Sequence, residues 1–291
     1  MGQSTGPPPV TPPPSDRVIR ANRLDLHLLE WGDAGSVVLL LHGFLEHAHV
    51  WDWVAPSLAA AGHHVFALDW RGHGDSQWIG AGGYYHFVDY VADLAGVVRA
   101  LGGQVSLVGH SMGGGAALLY AGAEPERVRA LALIEGLGVP DTEPSTVPER
   151  VVSWLHDLER SERRVRGTIT VAAAVRRLRD RFPHFSEAVA RHLVEFGTRN
   201  AGGARVWKFD PLHQTRAPQP TYVSQAREFW KRVTCPVLYV EGTESNLRLA
   251  PADIDERLTA LRARRVTIAG SGHHPHLEQP ATLVRALLGF L

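Results

Sequence analysis

Residues 105–120 read Val-Ser-Leu-Val-Gly-His-Ser-Met-Gly-Gly-Gly-Ala-Ala-Leu-Leu-Tyr, an apolar run, a glycine-flanked serine, and a small apolar stretch of helical character. The centre is a G-x-S-x-G turn, Gly109-His110-Ser111-Met112-Gly113, placed between a strand and a helix. A chain that passes from strand to helix so abruptly holds the serine in a strained conformation. The helix then crosses the strand so closely that positions 109 and 113 have room only for glycine. The turn lifts the Ser111 hydroxyl clear of the sheet, with the positive end of a helix behind it. A bare Gly/Ser pattern is an ordinary turn. The strand before it and the helix after it make Ser111 a candidate nucleophile.

Outward from this turn the chain alternates. Strands are predicted over 24–31, 36–41, 64–69, 105–108, 128–134, 236–240 and 265–269, and helices over 51–61, 87–101, 251–261 and 277–288. Apolar strands interleaved with helices imply an α/β fold, a mostly parallel sheet flanked by helices, whose sites collect at the carboxyl ends of the strands. The alternation stops between 138 and 230, a gap too long for a connecting loop. Within it Val151, Trp154, Leu155 and Leu158, then Val171, Val175, Leu178 and Phe182, then Val189, His192, Leu193 and Phe196 repeat at helical spacing. We read a helical cap inserted after the strand that ends near Ile134, with its aromatics serving mainly as the cap's own core. The expected organisation is a disordered Pro-rich leader over 1–16, a core of 17–137 and 231–291, and the cap over 138–230.

Composition narrows the role without defining it. With 291 residues, 44% of them hydrophobic, the chain can bury one large core, and its 30 basic and 30 acidic side chains cancel. That balance argues against nucleic acid or a membrane surface as partner. Lysine occurs only at 208 and 231, which we read as base composition of the coding sequence. The single cysteine, Cys235, cannot form a disulfide within the chain and is read as a small buried hydrophobe. Residues 1–14 lack the charged start and apolar centre of a signal peptide, and no run reaches transmembrane length, so a cytoplasmic location is expected. The Pro-rich leader could also dock a partner as a PxxP segment, the lesser reading. Sixteen histidines raise the question of metal, but no H-E-x-x-H, paired cysteine or acidic cluster accompanies them. Neither a metal nor a cofactor is expected, and self-association is left open.

Three further segments end strands and face the serine turn. His42-Gly43-Phe44-Leu45 offers a backbone N–H that, with the N–H of Met112, would form an oxyanion hole. Asp69-Trp70-Arg71-Gly72-His73-Gly74-Asp75-Ser76 is a turn whose Asp69, Arg71 and His73 are read as structural. Gly270-Ser271-Gly272-His273-His274-Pro275-His276 is placed to carry a general base. With these four blocks in order, the chain resembles the α/β-hydrolase superfamily, specifically its capped serine hydrolases of carboxylesterase type. The resemblance runs from about Leu24 to the last helix. It implies Ser111 as nucleophile, His273 as the base, since the family's base directly follows glycine, and the amides of Phe44 and Met112 as oxyanion donors. His276 is then read as a structural hydrogen-bonding residue.

The acid departs from the family's commonest pattern. After the strand at 236–240 an aspartate is usual, but Gly242-Thr243-Glu244-Ser245 puts serine there, and serine cannot stabilise an imidazolium as a carboxylate does. Glu135, which ends the strand after the elbow helix, resembles the alternative acid site of some haloalkane dehalogenases and is the preferred acid. Glu244 is the second choice, one residue out of step, and a dyad or an acid from elsewhere the third. Dehalogenases and epoxide hydrolases of this fold use aspartate at the elbow, so serine at 111 argues against both chemistries. The expected activity is hydrolysis of a small-molecule carboxylic ester through an acyl-enzyme. Carbon-carbon hydrolysis and perhydrolase chemistry use the same machinery, and a ligand-binding sensor on this fold is a more distant reading.

Overall fold

The computed structural model describes residues 13–163, 167–246 and 249–291, the side chains of 162 and 163 excepted. Along the chain lie β1 (Ser15–Ala21), β2 (Leu24–Trp31), β3 (Val37–Leu41), α1 (Ala55–Ala60), β4 (His64–Leu68), α2 (Phe87–Ala100), β5 (Val105–His110), α3 (Met112–Ala123) and β6 (Val128–Ile134). There follow α4 (Val147–Arg163), α5 (Val171–Arg181), α6 (Glu187–Gly197), the hairpin β7 (Thr198–Ala201) and β8 (Ala204–Trp207), and α7 (Val223–Trp230). The chain closes with β9 (Val237–Gly242), α8 (Pro251–Leu261), β10 (Arg264–Ile268), α9 (Pro275–Glu278) and α10 (Pro280–Leu288).

Eight strands form one sheet in the order β1-β2-β4-β3-β5-β6-β9-β10, in which β2 alone runs against the others. Side chains of successive strand residues point to opposite faces, and β3 sorts accordingly. Leu39 and Leu41 join the apolar layer of α2, α3, α7 and α8, while Val38 and Leu40 join that of α1 and α10. Among the described residues no helix is long and apolar enough to cross a membrane.

The structure corrects four details. β1 begins at Ser15, so Ser15 and Asp16 belong to the sheet and not to the leader; the rest of the leader up to residue 12 lies outside the described residues. As an edge strand, β1 buries only Ile19 and Ala21, too few to announce itself by periodicity, and it is fixed instead by its hairpin with β2. The turn residues Asn22 and Arg23 both have positive φ, 47° and 69°, the conformation of a two-residue hairpin turn. The helix expected over 51–61 is a 3₁₀ turn, Ala48–Trp51, followed by α1, whose first turn holds Pro56 because proline lacks the N–H a helix interior needs. Finally, α7 packs on α3 and α8 and buries Trp230 in the core layer, so the inserted segment ends near residue 222 rather than 230. The insertion also contains the β7–β8 hairpin, turned by Gly202 and Gly203 at φ 62° and 87°.

The Asp69 turn knits the loops at the strand ends. Its buried carboxylate accepts from His27 Nδ1 at 2.8 Å, the Ala48 amide at 2.7 Å and the Asp75 amide at 3.0 Å. Burial opposes a charge on His27, but Asp69 and then Asp16 outweigh it and push the imidazole up to about 9. A histidine held above its unfolded pKa stabilises the fold fully below about pH 6.5, and that contribution is lost as pH rises through the folded pKa. The Tm is therefore expected to decline between about pH 6.5 and 9, and His27→Gln to flatten the decline. Identical slopes in both proteins would show that the pair is not the cause.

Candidate active site

Ser111 stands between β5 and α3 with φ 49° and ψ −115°, a region that L-residues rarely occupy. Its amide donates to the Ile134 carbonyl at 2.9 Å, and its carbonyl accepts from Gly115 N–H at 3.1 Å. The crossing is as close as the glycines suggested. A Cβ on Gly109 would lie 2.6 Å from the Gly113 carbonyl oxygen, and one on Gly113 would lie 2.4 Å from the Leu41 carbonyl oxygen. Gly113→Ala is expected to cost about 1–3 kcal/mol of unfolding free energy in urea, because backbone on both sides must move. An unchanged midpoint would refute this account of the turn.

Glu135 follows β6 and has a positive φ of its own, 52°. Its amide donates to the Val240 carbonyl at 2.9 Å, and its carboxylate turns into the sheet end, only 1% exposed. Oε1 accepts from Gly242 N–H at 2.8 Å; Oε2 accepts from Ser245 Oγ at 2.8 Å and lies 3.3 Å from His273 Nδ1. Burial alone would raise the pKa of this carboxyl, but His273, the Gly242 amide and Ser245 together hold it below its usual value. Glu244 is elsewhere: its side chain is 53% exposed and 3.7 Å from His184 Nε2. Ser245, noted in the sequence only as a missing carboxylate, donates to the carboxylate that stands at His273. The signal was its position, that of the family's usual acid.

Ser111, Met112, Phe44, Glu135 and His273 line one cavity of about 480 Å³. No hydrogen bond joins Ser111 Oγ to His273 among the described residues; both line the same cavity, and such contacts often tighten only with substrate bound. Neither the Phe44 nor the Met112 amide has an acceptor among the described residues. The neighbours of Phe44 explain why its amide is left over. Gly43 N–H is taken by Glu46 Oε2 at 2.6 Å and Leu45 N–H by His73 Nε2 at 3.3 Å, with Leu45 at φ 62°. The loop is held on both sides while the amide between them stays vacant.

Beneath the cavity is a buried polar layer that the sequence did not disclose. His110 Nδ1 meets Glu46 Oε2 at 3.1 Å, and its Nε2 donates to the His273 carbonyl at 2.8 Å. Burial disfavours charge on both partners, yet their mutual attraction raises His110 and holds Glu46 well below the usual carboxylate range. His42 is neutral by contrast. Its burial lowers the pKa; Nδ1 donates to the Gly43 carbonyl at 2.7 Å and Nε2 accepts from Trp70 N–H at 3.1 Å. Arg71 forms a two-pronged bond with buried Asp93, both contacts at 2.6 Å. One expectation needs correcting: His276 makes no hydrogen bond among the described residues. It is fully buried, kept neutral by burial, and packs its ring 4.8 Å from Trp51 and 4.4 Å from His110. Cys235 is half-buried against the core, which pushes its thiol up to about 11.

The upper wall of the cavity comes from the insertion, through Trp154, Leu212, His213 and Pro218, and from the aromatic run Tyr84 to Phe87. Burial lowers His213 to about 3, so it is neutral, with Nδ1 3.2 Å from Tyr90 Oη. This wall is mostly apolar and aromatic, and Arg216 of the insertion also lines it.

Residues 36–280 match the family of the alpha/beta hydrolase fold, and the chain belongs to that family. Among relatives, an epoxide hydrolase A of Mycobacterium tuberculosis is 29% identical, covering 96% of this chain and 97% of its own. An esterase of the same organism is 28% identical over 96% of this chain and 90% of its own. Among solved structures, a thioesterase domain from the curacin biosynthetic pathway superposes with a TM-score of 0.85 at 28% identity, over 95% of this chain and 98% of that domain. A hypothetical protein of Pseudomonas aeruginosa superposes equally well, with a TM-score of 0.85 at 29% identity, over 95% and 98%.

Proposed function

We propose that this hydrolase cleaves carboxylic esters of small molecules through an acyl-enzyme on Ser111. Ser111 Oγ attacks the ester carbonyl while His273 Nε2 takes its proton. The developing oxyanion rests on the amides of Phe44 and Met112. His273 then protonates the leaving alcohol, and a water activated by the same nitrogen hydrolyses the acyl-enzyme. Glu135 holds the Nδ1 proton of His273 and stabilises the imidazolium that forms in each half-reaction. The insertion over 138–222 acts as a cap that supplies the acyl pocket.

The observation that carries this reading is a serine, and not a carboxylate, in the strained turn that lines one cavity with His273, Phe44 and Met112. An alkyl-enzyme ester formed by a carboxylate still offers a carbonyl for water to attack. Serine opening an epoxide would instead leave an ether with no carbonyl, and the enzyme would not be released. The resemblance to a thioesterase domain supports an acyl substrate in the same sense. The mostly apolar wall suits an acyl chain, with Arg216 the charged side chain that the insertion adds to the lining.

A fluorophosphonate probe tests the nucleophile directly. Peptide mass spectrometry is expected to find the adduct on Ser111 alone, with loss of turnover of p-nitrophenyl esters graded from acetate upward. Labelling at another residue, or full ester turnover after Ser111 is labelled, would overturn the proposal. Labelling of Ser111 with no ester or thioester turned over would move the substrate to a carbon-carbon bond.

A further inference from the structure

A second cluster of ligating groups lies where the insertion meets the core, and none of its residues lines the Ser111 cavity. His49 sits in the 3₁₀ turn Ala48–Trp51, Asp52 directly follows it, and His192 projects from α6. Asp52 Oδ2 is 2.9 Å from His49 Nδ1 and 3.0 Å from His192 Nε2, and one ligand atom from each residue lies within 4.8 Å of the other two. We infer that His49, Asp52 and His192 form a binding site for a transition-metal ion of the Zn²⁺ class that ties the insertion to the core.

Two imidazoles and one carboxylate are the donor set of a three-ligand zinc site with one open position. With zinc bonds of about 2.0–2.2 Å, tetrahedral ligand atoms stand about 3.3 Å apart, so the two carboxylate–imidazole separations of 2.9 and 3.0 Å need only a small outward shift. The carboxylate has capacity to spare. Asp52 is 4% exposed, yet its Oδ1 has no hydrogen-bond partner among the described residues, an uncompensated acceptor beside two imidazole nitrogens. The rings are held in place: His49 stacks on Phe196 with centroids 3.7 Å apart, and His192 meets Trp53 edge-on at 4.4 Å. Such support fixes ligand orientation before the metal arrives. An entry path exists, since the side chains of His49 and His192 are 17% and 13% exposed.

Two other clusters in the described residues are less suited. Glu46, beside His110 and His276, already takes the Gly43 amide, His110 and His274; Asp69, beside His27 and Asp75, takes three donors and is closed to solvent. His192 and His49 are 143 positions apart, with His192 on a helix face that reads as apolar. No motif spacing could have joined them.

The test uses the full chain without an affinity tag, dialysed against chelator and titrated calorimetrically with ZnCl₂. One equivalent is expected to bind saturably and raise Tm. His49→Gln and His192→Gln keep an amide donor for Asp52 but remove an imidazole ligand. Loss of outer-shell partners alone weakens metal sites about 10- to 100-fold, so each variant is expected to weaken Zn²⁺ binding at least that much. Unchanged affinity in both variants, or no saturable binding to the wild type, would overturn the inference. Should the variants not fold, zinc-edge anomalous scattering from wild-type crystals grown with one equivalent of Zn²⁺ decides. A peak between His49 Nδ1 and His192 Nε2 supports the site; a peak only at Glu46 and His110 or at His273, or no peak, sinks it.

Discussion

Ser111→Ala is expected to lower kcat on carboxylic esters by on the order of 10⁵-fold or more, with KM and Tm little changed. Alanine keeps the Cβ, so the strained backbone at φ 49° and the glycine contacts around it are the same in both proteins. The cavity wall is untouched, so ground-state binding survives. What disappears is the covalent path. Any residual rate comes from water attacking a carbonyl already polarised by the Phe44 and Met112 amides. Single-turnover measurements on an activated ester would check this. Wild-type turnover in the variant would mean that Ser111 is not the nucleophile.

Glu135→Gln is expected to cost about 10⁴-fold in kcat with the fold retained. The geometry explains so large an effect from one atom exchanged. The carboxylate accepts from Gly242 N–H, from Ser245 Oγ and from His273 Nδ1, three donors against an acceptor-only group. A carboxamide has one acceptor oxygen, which the Gly242 amide claims, and its NH₂ then faces His273 Nδ1. The imidazole must answer with the other tautomer, its proton on Nε2, where it can no longer accept the serine proton. Glu244→Gln, altering an exposed side chain, is expected to leave kcat within about twofold of wild type, as surface changes usually do. The reverse pattern, activity surviving in Glu135→Gln and lost in Glu244→Gln, would place the acid after β9.

Much of the fold was legible because its signals are local. The alternation of apolar strands and helices, the long gap after Ile134, and the glycines of the serine turn each follow from sterics acting over a few residues. β1 was hidden because an edge strand with two buried positions has almost no hydrophobic period, and its stability comes from pairing with β2. The end of the insertion was misplaced because the amphipathic face of α7 is the same whether it packs on a cap or on α3. Only the packing distinguishes them.

The site divides along the same line. By itself the sequence determined the α/β class, the strand-turn-helix around Ser111, the strand-end loop that carries Phe44 and the loop that carries the histidine after Gly272, because each is a short block with its own steric or chemical requirement. The sequence ranked Glu135 above Glu244, but only tertiary structure brings Glu135 to His273 and Ser245 to Glu135 as a donor. Tertiary structure also decided that His110 and Glu46 form a buried hydrogen-bonded pair, and that His192 comes to His49 and Asp52. Those are contacts between residues far apart in the chain, and no local rule of conformation sets the distance between them.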